Sequence, residues 1–544
     1  MKNKLFILFL FILAIIPTLA LFHSGLPITH DGQDQVARIA NFYQNLVDGN
    51  LIPRWAANLN WGYGHPVLEF LYPLPSYIAS FFHVFGFNFV DAAKIVFGLG
   101  IIFSFLFMYL FLSQFNSKYA SILGAFLYTY APYRFIDVYV RGDIGENLAL
   151  AFVPLVLFFI YKTYKKQTFE NTVLGGVSLA LLILAHNAIS LMALPFILFY
   201  SGYLIFVSKN RKSLAINLVS LISLGFAFSA FFWVPGLLEG KYTLRNIVTK
   251  GAYLGRFVSF GQLIYGNWNY GQTGQFTVQL GILQWISLIL SPFVAFKLYK
   301  KKNKDYIFVT GLIFLCLSGI FLMLPVSNFI WAKFMLLQNF QFPWRFLTVT
   351  IIATSILSVY AFSLVPQKYQ KYVLILVVIL VFFLQRNYFV PKGYQYKPET
   401  FYSGVYYSTT DTGESSPIWS IRAMGHTPTA QIQVIAGTGT VRELDHKSTL
   451  RLYSFDSSTS ARILLNILYF PGWTVYVDGS ITPTIFQDPA YRGLITFTVV
   501  GGHHIIKAVF LPTKLREVSD YISLLSVLGI LGFYVLRFFR KKVY

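Results

Sequence analysis

The feature that most constrains this chain is a series of long apolar runs separated by short basic loops. The runs fall at about 5–22, 92–112, 119–135, 147–161, 171–186, 190–207, 214–235, 276–296, 306–325, 345–364, 371–387 and 518–536. A straight helix needs about 20 residues to cross the hydrocarbon core of a bilayer, and most of these runs reach or approach that length. They predict an α-helical polytopic membrane protein of about 12 transmembrane helices. Composition agrees: 12% of the residues are charged, against roughly 25% in a soluble domain. The net charge of +22 would suggest nucleic acid in a soluble protein. Here the Lys and Arg residues lie mostly in the short loops, so topology accounts for them and no nucleic-acid partner is expected.

The loop charges orient the chain. Lys118; Lys162, Lys165 and Lys166; Lys209, Arg211 and Lys212; Lys300, Lys301, Lys302 and Lys304; Lys368 and Lys371; and the tail Arg537, Arg540, Lys541 and Lys542 all fall on one side if both termini are cytoplasmic. This arrangement places the chain in the cell membrane with its active face extracytoplasmic. The first run, after Lys2 and Lys4, reads as an uncleaved helix rather than a signal peptide. Residues 73–85 are apolar but short and open with Pro73 and Pro75. Counting them as a span would break the alternation, so they are expected to form a helix lying on the outer face. Cys316 is the only cysteine, which excludes an intrachain disulfide.

Three regions follow. Residues 1–387 form the transmembrane domain, with a long first outer loop at 23–91. Residues 388–517 form an extracytoplasmic β domain, and 518–544 the final helix with its basic tail. The β assignment rests on alternating segments such as Leu464–Phe470 and Leu494–Val500, punctuated by Pro471-Gly472, Asp478-Gly479 and Gly501-Gly502. The pattern predicts an antiparallel β sandwich.

The first outer loop holds the densest polar set. It includes His30, Asp31, Asp34, Arg38, Arg54, Asn58, Asn60, His65 and Glu69. A carboxylate at the membrane–water boundary can act as a general base toward an acceptor hydroxyl, and Asp31 is the candidate. Asp34 lies one helical turn further on. The alternative for Asp31 is an N-cap of the helix that begins near Gly32. In the second loop Arg141, Asp143 and Glu146 cluster where a helix re-enters the membrane, either as a site or as an ion-pair network. His186 and Asn187 mark an outer helix end, where a structural hydrogen bond is the alternative. Arg345, in Gln341-Phe342-Pro343-Trp344-Arg345, is either an interfacial anchor or a phosphate clamp. Arg245, Lys250 and Arg256 in the third loop either add to the same field or form a solvated basic surface. No phosphate-binding glycine loop, dinucleotide fingerprint or G-x-S-x-G is present, so a nucleotide-driven reaction is not expected. No metal-ligand spacing is recognised either.

Thr29-His30-Asp31-Gly32, Arg38, Gly49 to Trp55, Gly62 to Pro66, Tyr72 to Pro75, Tyr133-Arg134, Arg141-Gly142, Glu146, His186-Asn187 and Gln341 to Arg345 together resemble a bacterial membrane family called pyruvoyl-tetrahydropterin synthase-related. Nothing in the chain resembles the soluble, zinc-containing synthase itself. Tyr469 to Trp473, Val477 to Gly479 and Gly502-His503 are similar to the C-terminal domain of YfhO-like membrane proteins. Both families resemble GT-C glycosyltransferases, which implies a polyprenyl-phosphate-linked sugar donor and a carboxylate base in the first outer loop. By position the resemblance makes Asp31 the catalytic residue, with Asp34 beside it. Arg141, Asp143 and Glu146 fall in the second outer loop, where that class often places further polar site residues, and Arg54, His65, Glu69, His186, Asn187 and Arg345 are expected to bind substrate with them. The expected acceptor is an envelope glycan, a lipid or a protein. The acidic pair is spaced D-x-x-D rather than D-x-D, so no cofactor is assigned and a divalent cation stays open. Rival expectations are a transporter or flippase of lipid-linked saccharide, and a non-catalytic scaffold for envelope polymer.

Overall fold

The apolar runs fold as helices because a helix satisfies every backbone polar group within its own segment. The computed structural model describes residues 2–271 and 276–542, with side chains for 6–271 and 276–538. The charged ends of Lys2, Lys4, Arg540, Lys541 and Lys542, and residues 272–275 of the third loop, lie outside the described part. Among the described residues nine helices are long and apolar enough to cross a membrane: Phe89–Leu112, Ile144–Lys165, Asn187–Val207, Arg211–Phe228, Ile282–Lys300, Asp305–Met323, Pro343–Phe362, Gln367–Leu384 and Lys514–Phe538. Each coincides with one expected run. The other three runs are also helical but shorter or broken: Phe6–Phe22, Phe169–Ala185 and Lys118–Thr129. Pro343–Phe362 is almost enclosed by its neighbours, whereas the final helix is exposed along nearly its whole length.

The short apolar segment at 73–85 is helical over Leu74–Val84. At 1.5 Å per residue it is only about 16 Å long, roughly half of what a span needs. It packs between the helices Gly32–Val47 and Phe89–Leu112 and leaves Phe81 and Val84 exposed.

The polar C-terminal region folds as two antiparallel sheets. One runs in spatial order Thr440–Lys447, Leu450–Ser457, Gly502–Phe510, Trp473–Val477, Ser480–Ile481. The other runs Ile432–Ala436, Ala461–Leu468, Leu494–Val499. Alternate residues point inward, and Phe455, Ile463, Leu465, Val475, Phe497 and Ile506 make the core. Trp55, Tyr63 and Phe70 of the first loop belong to that same core. Trp55 meets Trp473 edge-on at 5.4 Å and Phe510 at 5.4 Å. The strands begin only at Ile432. The stretch before them is draped over the first loop: Tyr394–Gln395 pairs antiparallel with Leu26–Pro27. Further on, Tyr406 N donates to Asn58 O (2.8 Å), Trp61 N to Tyr406 O (2.9 Å) and Asn60 N to Ser408 O (2.9 Å).

Candidate active site

The site forms where the first and second loops are clasped. His30 N donates to Val140 O (2.9 Å) and Asp31 N to Arg141 O (2.8 Å). The approach depends on glycine. Gly142 has φ +72°, and a Cβ there would lie 2.3 Å from Thr29 Oγ1 and 3.0 Å from Gly32 N. Gly145 carries the ring of Tyr72 against its backbone, and a Cβ would sit 2.2 Å from that ring. Both glycines of the Arg141-Gly-Asp-Ile-Gly-Glu146 stretch are therefore docking surfaces.

Asp31 stands at the N-cap position of Gly32–Val47, but its side chain makes no cap hydrogen bond. The first free amide, Gly32 N, donates instead to Thr29 Oγ1 (3.1 Å). The Asp31 side chain is solvent-exposed, yet surrounding protein raises its carboxyl above the ordinary value through burial, helped by Asp143 and Asp34 and opposed by Arg141. The carboxylate is thus reachable by solvent with protein close around it. Asp34 accepts from Tyr406 Oη (2.9 Å), and burial raises its carboxyl too. Arg38 is held by Gln35 (3.0 Å) and Thr410.

Behind Asp31 lies a buried network. The helix after Lys118–Thr129 is broken at Pro132, resumes as Pro132–Ile136, and widens into a π turn over Asp137–Arg141. That break points Arg141 into the protein. Its guanidinium donates to Asp137 Oδ1 (2.5 Å), Glu146 Oε2 (2.7 Å), Asp143 Oδ2 (2.8 Å) and Tyr133 Oη (3.2 Å), and its plane lies 4.7 Å from the Trp344 ring centroid. Asp143 caps its own helix through Glu146 N (3.0 Å) and accepts from Tyr72 Oη (3.2 Å). Glu146 also accepts from Tyr133 Oη (2.6 Å), Thr348 Oγ1 (3.0 Å) and Arg345 Nε (3.3 Å). Arg345 Nη2 comes within 3.7 Å of Asp143. Burial alone would raise Asp143, but Arg141, His186 and Arg345 hold it well below the usual carboxylate range. Asp137 goes the other way: burial and nearby Glu146 push it well up.

His186 Nδ1 accepts from Ile189 N (3.2 Å), so Nε2 carries the proton and faces Asp143 at 3.8 Å, with the ring stacked on Tyr72. Asp143, Glu146 and His186 each offer a ligand atom, all within 4.8 Å of one another. This mixed N/O set suits a divalent transition-metal ion. The carboxylate oxygens, however, are already occupied by Arg141, Arg345 and hydroxyls, so an ion entering here would have to displace those donors.

Asp31, Asp34, Arg141, Asp143, Glu146, His186 and Arg345 are thus gathered around one clasp. The structure places the other sequence candidates elsewhere. Arg54 forms a two-pronged pair with Asp520 of the final helix (2.6 and 3.2 Å). His65 is wholly buried, 3.6 Å from Asp411. Glu69 is wholly buried against Arg516 (2.9 Å), and burial pushes its carboxyl well up. Asn187 donates to Phe70 O (3.3 Å). All four fasten the first loop. Asp137, Tyr72, Thr348 and Tyr406 were not among the sequence candidates. Asp137 had a local signal, lying four residues before Arg141 in a helical stretch. Tyr406 had none, being 372 residues from Asp34.

Three comparisons bear on identity. A Lactococcus lactis subsp. cremoris protein described as uncharacterized is 28% identical over 343 residues, covering 60% of this chain and 53% of that one. The chain therefore spans about half the length of that relative. Among solved structures, the apo oligosaccharyltransferase of Archaeoglobus fulgidus has a TM-score of 0.46 at 13% identity, over 75% of this chain and 60% of that one. Mycobacterial arabinofuranosyltransferase AftD has a TM-score of 0.47 at 14% identity, over 72% and 27%. ArnT from Cupriavidus metallidurans, bound to undecaprenyl phosphate, has 0.40 at 12%, over 74% and 68%. A family described as 6-pyruvoyl-tetrahydropterin synthase related domain, membrane protein, matches residues 68–389. The match takes in Arg141, Asp143, Glu146, His186 and Arg345, and with well over half of its length inside it the chain belongs to this family of membrane proteins.

Proposed function

We propose that the protein is an inverting membrane glycosyltransferase that moves a sugar from a polyprenyl-phosphate donor to a hydroxyl of an envelope glycan, lipid or protein. The observation that carries this reading is Asp31: a carboxylate without hydrogen-bond or ion-pair partners among the described residues, set in a recess beside a group containing two arginines. A base must have a free lone pair and a raised affinity for protons, and burial supplies the second. Asp31 takes the proton of the acceptor hydroxyl as its oxygen attacks the anomeric carbon. The bond from that carbon to the phosphate oxygen breaks, and its electron pair leaves with the lipid phosphate. Arg345 meets the growing negative charge on that phosphate. Arg141, already engaged by three carboxylates, holds Asp143 and Glu146 so that Arg345 stays aimed at the recess. A divalent cation at Asp143, Glu146 and His186 would add positive charge beside the same phosphate. In this reading both termini are cytoplasmic, the recess opens on the extracytoplasmic face, and the β domain positions the acceptor.

The test is incubation of the purified protein with labelled polyprenyl-phosphate sugars and extracted envelope glycans. Asp31→Asn should lower transfer by about 10²–10⁴-fold, the usual contribution of a general base, with unchanged folding. Wild-type transfer in that variant discards Asp31 as the base.

A further inference from the structure

Among the described residues Arg256 has no carboxylate within ion-pair distance. It sits in the third loop on a turn built by Gly255, whose φ is +72°. The residues around it are anchored: Tyr253 and Phe257 both pack on the buried ring of Trp331, at 5.4 and 6.2 Å, and Val258 N donates to Met323 O (2.9 Å). Arg256 itself remains exposed. Its guanidinium lies 4.5 Å from the centroid of the Phe342 ring, and the guanidinium of Arg345 lies 5.3 Å from the centroid of the same ring. Both cations rest against the same aromatic side chain. Among the described residues no carboxylate comes within ion-pair distance of Arg256, in contrast to Arg345, which has two. Burial lowers the Arg256 guanidinium from its usual value, and no neighbouring charge offsets this. An exposed guanidinium resting on an aromatic ring, with no carboxylate beside it, is open to an anion from outside the protein.

The surroundings say what kind of anion. Short helices around Arg256 expose apolar side chains: Phe260 and Ile264 on Phe260–Ile264, Phe329 on Asn328–Lys333, and Leu336 on Met335–Gln338. Exposed apolar side chains on these helices, together with an unpaired cation, suit a ligand with a phosphate at one end and a hydrocarbon chain at the other.

We infer that Arg256 and Phe342 form a second phosphate position, separate from the Arg345 recess, where the phosphate of a polyprenyl phosphate waits before reaction or rests after it while the chain lies along the Phe260–Leu336 shelf. This rests on the glycosyltransferase reading for its place in the reaction, but binding can be measured without transfer. The experiment uses the full-length protein in nanodiscs and decaprenyl phosphate as the probe, with decaprenol and inorganic phosphate as controls. Arg256→Gln should weaken decaprenyl phosphate binding about tenfold, and Arg256→Lys less. Decaprenol and inorganic phosphate should bind poorly to every form. Unchanged binding in Arg256→Gln, at an unchanged melting temperature, overturns the inference. Equal binding of decaprenol also overturns it, because the phosphate would then be irrelevant. Arg256-dependent binding in a wild type that transfers no sugar keeps the inference and removes the transferase reading.

Discussion

Asp31 is both reachable by solvent and enclosed by protein, and this pairing sets its pH behaviour. Burial raises the carboxyl above its ordinary 3.8, so the folded protein favours the neutral form. A base must be ionised, so kcat/KM should fall as pH drops through this raised value, giving an acid limb with its midpoint above 3.8. A limb at or below the ordinary value refutes the assignment. Stability runs in the opposite direction. Below the ordinary value the group is protonated in both states and costs nothing; above the raised value it is ionised in both, and the enclosed charge costs stability. Asp31→Asn is therefore expected to melt at or slightly above the wild-type temperature at pH 7 while losing transfer. Thermal unfolding and a pH–rate profile check both halves.

At the scale of elements, the site depends on a broken helix and a loop clasp. The break at Pro132 and the π turn over Asp137–Arg141 deliver Arg141 to three carboxylates. Removing it leaves Asp137, Asp143 and Glu146 buried without their main counter-charge. Arg141→Ala should cost about 3–5 kcal/mol, the range for breaking a buried pair from one side, read as a large drop in melting temperature. The clasp depends on Gly142. An alanine there would suffer both the left-handed backbone, about 1–2 kcal/mol, and contact with Thr29 Oγ1 at 2.3 Å. It should push Asp31 away from Arg345, and a misplacement of that order lowers rates by about 10²-fold. Transfer by Gly142→Ala should fall accordingly, and a wild-type rate would show that the clasp does not position Asp31.

At the scale of the whole molecule, the β domain and the final helix are locked to the first loop. Arg516 of the final helix bonds Glu69 (2.9 Å) and Glu239 (2.5 Å), with all three buried, and Arg54 bonds Asp520. Burial pushes Glu69 well up, while Glu69 and Arg516 hold Glu239 down against its burial. Burial therefore favours the neutral form of Glu69, while Glu69 and Arg516 favour the ionised form of Glu239. Glu69→Gln mimics that protonated form and should change stability little. Arg516→Ala strands the remaining carboxylate and should cost about 3–5 kcal/mol, with the β domain released to limited proteolysis. Equal stability of the two variants would contradict the reading of Arg516 as the main counter-charge of this buried group.

By itself the sequence determined the elements with strong local signals. Apolar runs such as Phe89–Leu112 have one backbone solution in lipid, the strands alternate along their own length, and the short Leu74–Val84 helix could be separated from the spans by its length and prolines. It also determined which loops carry carboxylates and arginines, because those residues stand where helices end. Their division into roles was decided by tertiary structure. Glu69, His65 and Arg54 read like Asp31 in the sequence, as polar residues of one loop. They part only because Arg516, Asp411 and Asp520, more than 300 positions away, occupy them, whereas Asp31 has no such partner among the described residues. Burial and charge pairing are properties of the assembled chain, so no local pattern distinguishes a carboxylate that ties the loop down from one that does not.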